Sequence, residues 1–246
     1  VSVEDGVYKI SPRSNESMAL SLATNNSSVQ QRTTQADVRN IVEEWRLLKI
    51  GTGAYLLGVT DENPAHDHCS ALGKIMDNVL NCGYDDVNCV LAYRTTILDA
   101  TNAMSNSKVF VSRSHGAGDE NGTMIALSGE TNPLVLHSSD IYDFSTNVAN
   151  VNLNNSDLIL FIGCETANHE TKSLPQAAVL AGAKVAVGFE NTVVCGRANT
   201  WTEKFFDRYE QGYSVEESCA YATQECISVY GSAGGLDSYV VVRGEG

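Results

Sequence analysis

The sequence predicts an α/β fold, a mostly parallel six-stranded sheet with helices on both faces, preceded by a small β-rich segment. Three observations lead there. From Ala54 onward short apolar runs recur, amphipathic or capped segments separate them, and the runs are continuous rather than alternating, as in Leu158-Ile-Leu-Phe-Ile162. Continuous runs mark strands buried on both faces, and their alternation with helices marks a sheet covered on both sides.

The runs in order are Tyr55–Val59, Val87–Tyr93, Lys108–Ser112, Leu158–Ile162, Lys184–Phe189 and Ser238–Arg243. Helices are expected at about 67–82, 95–106, 173–182 and 197–228, the last as two helices broken near Gly212. Right-handed crossovers then restrict the topology to a few arrangements. One insertion interrupts the alternation. Thr123–Ser128, the turn Gly129-Glu-Thr-Asn-Pro133 and Leu134–Leu136 read as a hairpin, after which Ser138 or Ser139 caps a short helix at about 139–144. The Asn/Ser-rich stretch 145–157 reads as an exposed loop.

Residues 1–53 differ in character: Asp5–Ile10, Ala19–Leu22, Asn25–Gln31 and Glu43–Ile50 read as short strands joined by polar turns. The boundaries are therefore a β-rich N-terminal segment at 1–53 and an α/β domain at 54–246. The opening Gly6-Val-Tyr8-Lys-Ile10 and the later Glu43-Glu-Trp45 resemble the Gly-x-Tyr-x-Ile and Gln-x-Trp of one ricin-type β-trefoil repeat, with Glu43 at the glutamine position. A β-trefoil needs three repeats and no second one follows, so the segment reads as a lectin-like appendage or a pro-segment remnant.

Composition narrows the partners. In 246 residues of 43% hydrophobic composition the net charge is −14 and the sequence pI near 4.6, and no block of lysines or arginines occurs. A phosphate-backbone partner is therefore excluded, and a cationic ligand or substrate suits the chain better. No apolar run approaches the roughly 20 residues of a membrane-spanning helix. The seven cysteines, at 69, 82, 89, 164, 195, 219 and 226, have neither a CxxC zinc pair nor a disulfide-framework spacing, so most are expected to be small core hydrophobes. The start at Val1, with no initiator methionine, carries the expectation of a removed targeting segment and a secreted rather than cytoplasmic setting. Oligomeric state stays open.

Functional groups of an open parallel sheet collect at the carboxyl ends of its strands. Two runs end in notable residues: Val109-Phe-Val-Ser-Arg-Ser-His115-Gly116, and Leu158–Ile162 followed by Gly163-Cys164-Glu165. If the two strands are neighbours, His115 and Cys164 emerge side by side. A cysteine nucleophile needs such a base, because the thiolate is the reactive form. Gly116 lets a backbone N–H approach the reacting carbonyl, and the Cys164 amide is a second donor for an oxyanion hole.

Ser114-His-Gly116, Gly163-Cys-Glu-Thr-Ala167 and Gln176-Ala-Ala-Val-Leu-Ala-Gly-Ala-Lys-Val-Ala-Val-Gly188 together resemble the caspase/gingipain/clostripain superfamily of cysteine peptidases, clan CD. They are most similar to its CHAT-like branch, with its Ala-Cys-Glu-Thr-Gly motif. The resemblance runs from about Tyr55 to Arg243. It implies a caspase-like sheet, His115 as general base, Cys164 as nucleophile, Gly116 and Cys164 as oxyanion donors, and a peptide or protein substrate. No cofactor is required, although calcium assists some relatives. Gly163 replaces the usual alanine and Ala167 the usual glycine.

Relatives with acidic pockets select Arg or Lys before the scissile bond, and here Asp61, Glu190 and Glu165 are the candidate substrate-binding carboxylates, Asp61 first. Simpler readings accompany the rest. His66-Asp-His68 lacks a further ligand and reads as a solvated helix start, His169 as a loop residue, Trp45 and Trp201 as core, and Cys195 as a structural thiol rather than a rival nucleophile. The alternative function is an inactive CHAT-like scaffold acting as a carbohydrate- or protein-binding module.

Overall fold

The computed structural model describes residues 8–11, 19–22, 29–32, 46–49, 53–59, 72–84, 87–92, 95–128 and 134–244. The chain forms two compact units, Val1–Ile50 and Gly51–Gly246. In the first, β1 (Tyr8–Ser11), β2 (Ala19–Leu22), β3 (Val29–Arg32) and β4 (Arg46–Lys49) form two antiparallel pairs, β1 with β4 and β2 with β3. β2 and β4 fall within the segments expected to be extended, while β1 and β3 each run one residue past theirs, to Ser11 and Arg32.

The second unit runs β5 (Ala54–Val59), α1 (Leu72–Asn81), β6 (Val87–Ala92), α2 (Ile97–Ser105), β7 (Val109–Arg113), β8 (Gly116–Asp119), β9 (Gly122–Ala126), β10 (Val135–His137), α3 (Ser138–Ile141), β11 (Tyr142–Asp143), β12 (Val148–Ala149), β13 (Leu158–Ile162), α4 (Leu174–Leu180), β14 (Val185–Phe189), α5 (Cys195–Tyr209), α6 (Val215–Tyr230) and β15 (Tyr239–Arg243). The main sheet has six strands in the order β15-β14-β13-β7-β5-β6. Every pairing is parallel except that of β15, which runs antiparallel beside β14. The chain leaves β5 for the edge strand β6, then returns to the other side of β5 and proceeds through β7, β13 and β14. The reversal lies between β5 and β7, so the carboxyl ends of the central strands are where a site belongs.

Strand parity divides the core. Leu56, Val109, Val111, Leu158, Leu160, Ile162, Val187 and Phe189 face α1, α5 and α6, while Leu57, Phe110, Ile159, Phe161 and Ala186 face α2 and α4. Both sets are buried, which is why these strands read as unbroken apolar runs. On the first face Trp201 is fully buried, with ring centroids 5.2 Å from Phe189 and 5.5 Å from Phe205, and its indole N–H donates to Thr223 Oγ1 at 3.0 Å.

Helix boundaries follow side-chain caps. Thr96 opens α2, Ser173 with Pro175 opens α4, and Ser214 with Glu217 forms a capping box at α6. The break expected near Gly212 separates α5 from α6, and Gly212 sits there at φ +83°. The helix expected at 67–82 is seen from Leu72, its start lying outside the described residues.

The insertion departs from expectation. Instead of a two-stranded hairpin it is a three-stranded antiparallel sheet, β8-β9-β10, because Gly116–Asp119 pairs with Gly122–Ala126 although it carries no apolar pattern. The following helix is capped by His137, whose N–H donates to the Asp140 carboxylate at 2.8 Å, and it ends at Ile141 instead of near residue 144. Asp143 stops it by accepting from the Ser145 and Thr146 hydroxyls at 2.6 and 2.7 Å, a local turn that competes with helix continuation. Within the stretch read as loop, Val148–Ala149 pairs with Tyr142–Asp143.

Candidate active site

β7 and β13 are adjacent and parallel, in a register running from Leu158 opposite Val109 to Ile162 opposite Arg113. Continued past the strand ends, that register sets Gly163 beside Ser114 and Cys164 beside His115. Parallel neighbours lie about 4.8 Å apart, so the two chemically notable strand ends meet. Parity directs both residues to the α5 face. His115 is exposed, Cys164 is half-buried, and a cavity of about 390 Å³ opens between them and the β14–α5 connection, lined by Arg113–His115, Gly163–Cys164 and Thr192–Gly196.

The two turns pack backbone to backbone, which accounts for both glycines. A Cβ on Gly116 would lie 2.3 Å from the Cys164 carbonyl oxygen and 3.2 Å from the Cys164 nitrogen. A Cβ on Gly163 would lie 2.7 Å from Ser114 O and 3.2 Å from Gly116 N. Glycine at 163 thus fits the close approach of the strand ends. The Gly116 and Cys164 amide nitrogens are neighbours as a result. Ladder geometry also frees the first of them from β9. His115 O accepts from Ala126 N at 2.8 Å, and Gly116 stands opposite Ile125, so 116 occupies a non-hydrogen-bonded position whose N–H points away from β9.

The turn after the thiol is tightly fixed. Glu165 takes φ +56°, the left-handed region that a residue with a Cβ enters at a cost of about 1–2 kcal/mol. Fully buried Thr166 offsets this by donating to Phe161 O at 2.9 Å and accepting from Phe189 N at 3.0 Å, which ties the turn to β13 and β14. The Cys164 sulfur is oriented by Val193, accepting from its N–H at 3.3 Å with the Val193 carbonyl 3.7 Å away.

Arg113 was not singled out from the sequence, yet it is only 1% exposed and lines the cavity floor. Its Nη2 donates to Asn199 Oδ1 at 2.7 Å and Cys195 O at 3.1 Å, pinning the start of α5 against the strand ends. Parity held the signal: Val109, Val111 and Arg113 share one strand face, so a cation follows two core valines.

The candidate carboxylates are placed elsewhere. Glu190 is exposed at the end of β14, its N–H donating to Ser238 O, and it does not line the cavity among the described residues. Glu165 turns its carboxylate toward the Gly118 N–H at 3.4 Å, supporting β8 instead of facing the cavity. Asp61 lies outside the described residues, as do His66, His68 and Trp45. His169 is a loop residue whose Nδ1 accepts from Thr171 and Lys172 N–H groups. Cys195, read from sequence as structural, lines the same cavity as Cys164. Burial raises the other described thiols, Cys82 to about 12 and Cys226 to about 11, and Cys219 further still. Among the described residues no group of three or more His, Cys, Asp or Glu side chains gathers to hold a metal such as calcium.

Several solved structures share this arrangement of elements. The Arg-specific cysteine proteinase gingipain R matches with a TM-score of 0.59 at 10% identity, over 78% of this chain and 46% of its own. The complex of Porphyromonas gingivalis RgpB pro- and mature domains matches equally, at 0.59 and 10%, over 78% and 47%. The Saccharomyces cerevisiae separase–securin complex matches at 0.54 and 14%, over 80% of this chain and 12% of that one. The fold is caspase-like. This chain spans less than half the length of each of these proteins. No family model and no curated protein sequence matches it. Among the described residues of the caspase-like unit and the N-terminal strands, no helix is long and apolar enough to cross a membrane.

Proposed function

We propose that residues 54–246 form a cysteine endopeptidase domain of the CHAT-like kind, acting on peptide or protein substrates through Cys164 and His115, with residues 1–53 as a lectin-like or pro-segment appendage. The supporting observation is the β7–β13 register, which sets the two residues at equivalent positions beside one cavity. His115 takes the Cys164 thiol proton, and the sulfur attacks the peptide carbonyl carbon. The carbonyl oxygen becomes an oxyanion held by the Gly116 and Cys164 N–H groups. As the C–N bond breaks, the leaving amine takes the proton from His115. A water, deprotonated by the same imidazole, then hydrolyses the thioester and restores the thiol. Protein groups alone carry each step.

Of the carboxylates considered for an Arg or Lys preference, Asp61 is the one left to carry it, since Glu190 and Glu165 have other surroundings. Cleavage of a peptide library by wild type and by Cys164→Ala tests the proposal. Wild type should cut, with Arg or Lys before the bond, and Cys164→Ala should not. Library cleavage that persists in Cys164→Ala, or none by a wild type that folds normally, contradicts it, and the second result favours a binding scaffold.

A further inference from the structure

Cys195 is the first residue of α5, two residues beyond the Val193 backbone that holds the Cys164 sulfur. Two residues of chain span at most about 7 Å, so the two thiols share one end of the cavity they both line. The Cys195 sulfur accepts from Nη2 of buried Arg113 at 3.7 Å, a donor that turns it toward the strand ends. Cys82, Cys219 and Cys226 do not line this cavity, and burial pushes their thiols up.

Space is open beside the start of α5. Val194 supplies no side-chain cap to the helix, and a Cβ on Gly196 would meet nothing within 4 Å. A shift of this turn breaks no side-chain cap but works against the Arg113 contact to the Cys195 carbonyl, and a disulfide needs its two Cα atoms about 4.4–6.8 Å apart.

We propose that Cys195 is a resolving thiol for Cys164, making this cavity a reversible peroxide-sensitive site. The Cys164 thiolate attacks a peroxide oxygen, the O–O bond breaks, hydroxide leaves and is protonated to water, and Cys164 becomes a sulfenic acid. The Cys195 sulfur then attacks the Cys164 sulfur. The S–O bond breaks, a second water departs with the Cys195 proton, and the S–S bond forms. The two thiols are oxidised by two electrons in all, and the peroxide is reduced to two waters. The disulfide fills the cavity mouth and protects Cys164 from irreversible sulfinic and sulfonic acids. This step needs only the two thiols and a peroxide, and it stands whether or not the cavity cleaves peptides.

The test is non-reducing peptide mapping by mass spectrometry of the intact chain after hydrogen peroxide treatment and thiol blocking. A peptide linking Cys164 to Cys195 should appear, lighter by two hydrogen atoms than the reduced pair, and dithiothreitol should abolish it. In Cys195→Ser the link should be lost and Cys164 should advance to sulfinic and sulfonic acids under the same dose. Cys164 linked to another cysteine in wild type overturns the proposal. So does an unlinked Cys164 overoxidised to the same extent in wild type and Cys195→Ser. Library cleavage before oxidation reports on the peptidase reading separately, because linkage can form in a protein that cleaves nothing.

Discussion

Gly116→Ala probes the contact between the two turns that the proposed chemistry depends on. The added Cβ would stand 2.3 Å from the Cys164 carbonyl oxygen, whereas ordinary contact begins at 3.4 Å, and its other near neighbours are Thr166 Cγ2 at 2.8 Å and the Cys164 nitrogen at 3.2 Å. Backbone cannot swing aside as a flexible side chain does, so the His115 and Cys164 turns must separate by about 1 Å. A displacement of that size at reacting groups costs on the order of 100-fold in rate, or about 2.7 kcal/mol of transition-state stabilisation. Overpacking should also remove about 1–3 kcal/mol of stability, and in a domain of this size each kcal/mol lowers Tm by about 2–4 °C. The assay is kcat/KM on a peptide chosen from the library, run beside the rate of Cys164 alkylation and a thermal melt. Gly163→Ala, whose Cβ would stand 2.7 Å from Ser114 O, should act in the same direction. A Gly116→Ala protein with kcat/KM within about threefold of wild type and an unchanged Tm would show that the turns do not pack in this way.

Trp201→Ala should destabilise the caspase-like unit by about 3–5 kcal/mol in urea unfolding, since it empties a fully buried site between Phe189 and Phe205 and leaves Thr223 without its indole donor. Asp143 should titrate near 2 by NMR, because the Ser145 and then the Thr146 hydroxyls hold its carboxylate charged. Its folded pKa lies below the unfolded value of about 3.9, so its contribution is complete above that pH and lost as pH falls toward 2. Ser145→Ala should raise the midpoint. At neutral pH a small alkylating reagent should spare Cys82, Cys219 and Cys226, whose thiols burial raises well above 9, in a quantitative labelling experiment on the folded chain.

The strands that carry both core faces, such as Leu158–Ile162, were legible because a doubly buried strand leaves an unbroken apolar run. β8 was not, because Gly116-Ala-Gly-Asp119 has no side-chain pattern and becomes a strand only through its pairing with β9. The end of α3 was missed for a related reason: the Asp143 turn is a local hydrogen-bond choice that periodicity does not register. His115 and Cys164 were visible as residues that follow two strands, but their adjacency depends on strand order, and the order places β7 between β5 and β13. Arg113 lay in plain parity with Val109 and Val111, although a charged residue at a strand end ordinarily reads as the start of a loop. The positions of Glu190 and Glu165 depend on single hydrogen bonds, to Ser238 O and from Gly118 N–H, that residue type does not encode.

The proposed chemistry makes Cys164 a nucleophile served by His115. The most direct measurement is the rate and site of modification by a peptidyl acyloxymethyl ketone, mapped by mass spectrometry in wild type, Cys164→Ala and His115→Ala. An adduct should form on Cys164 in wild type and none in Cys164→Ala, and modification should slow about 10²–10⁴-fold in His115→Ala. An adduct that forms on Cys195 instead, or a His115→Ala protein modified at the wild-type rate, would contradict it.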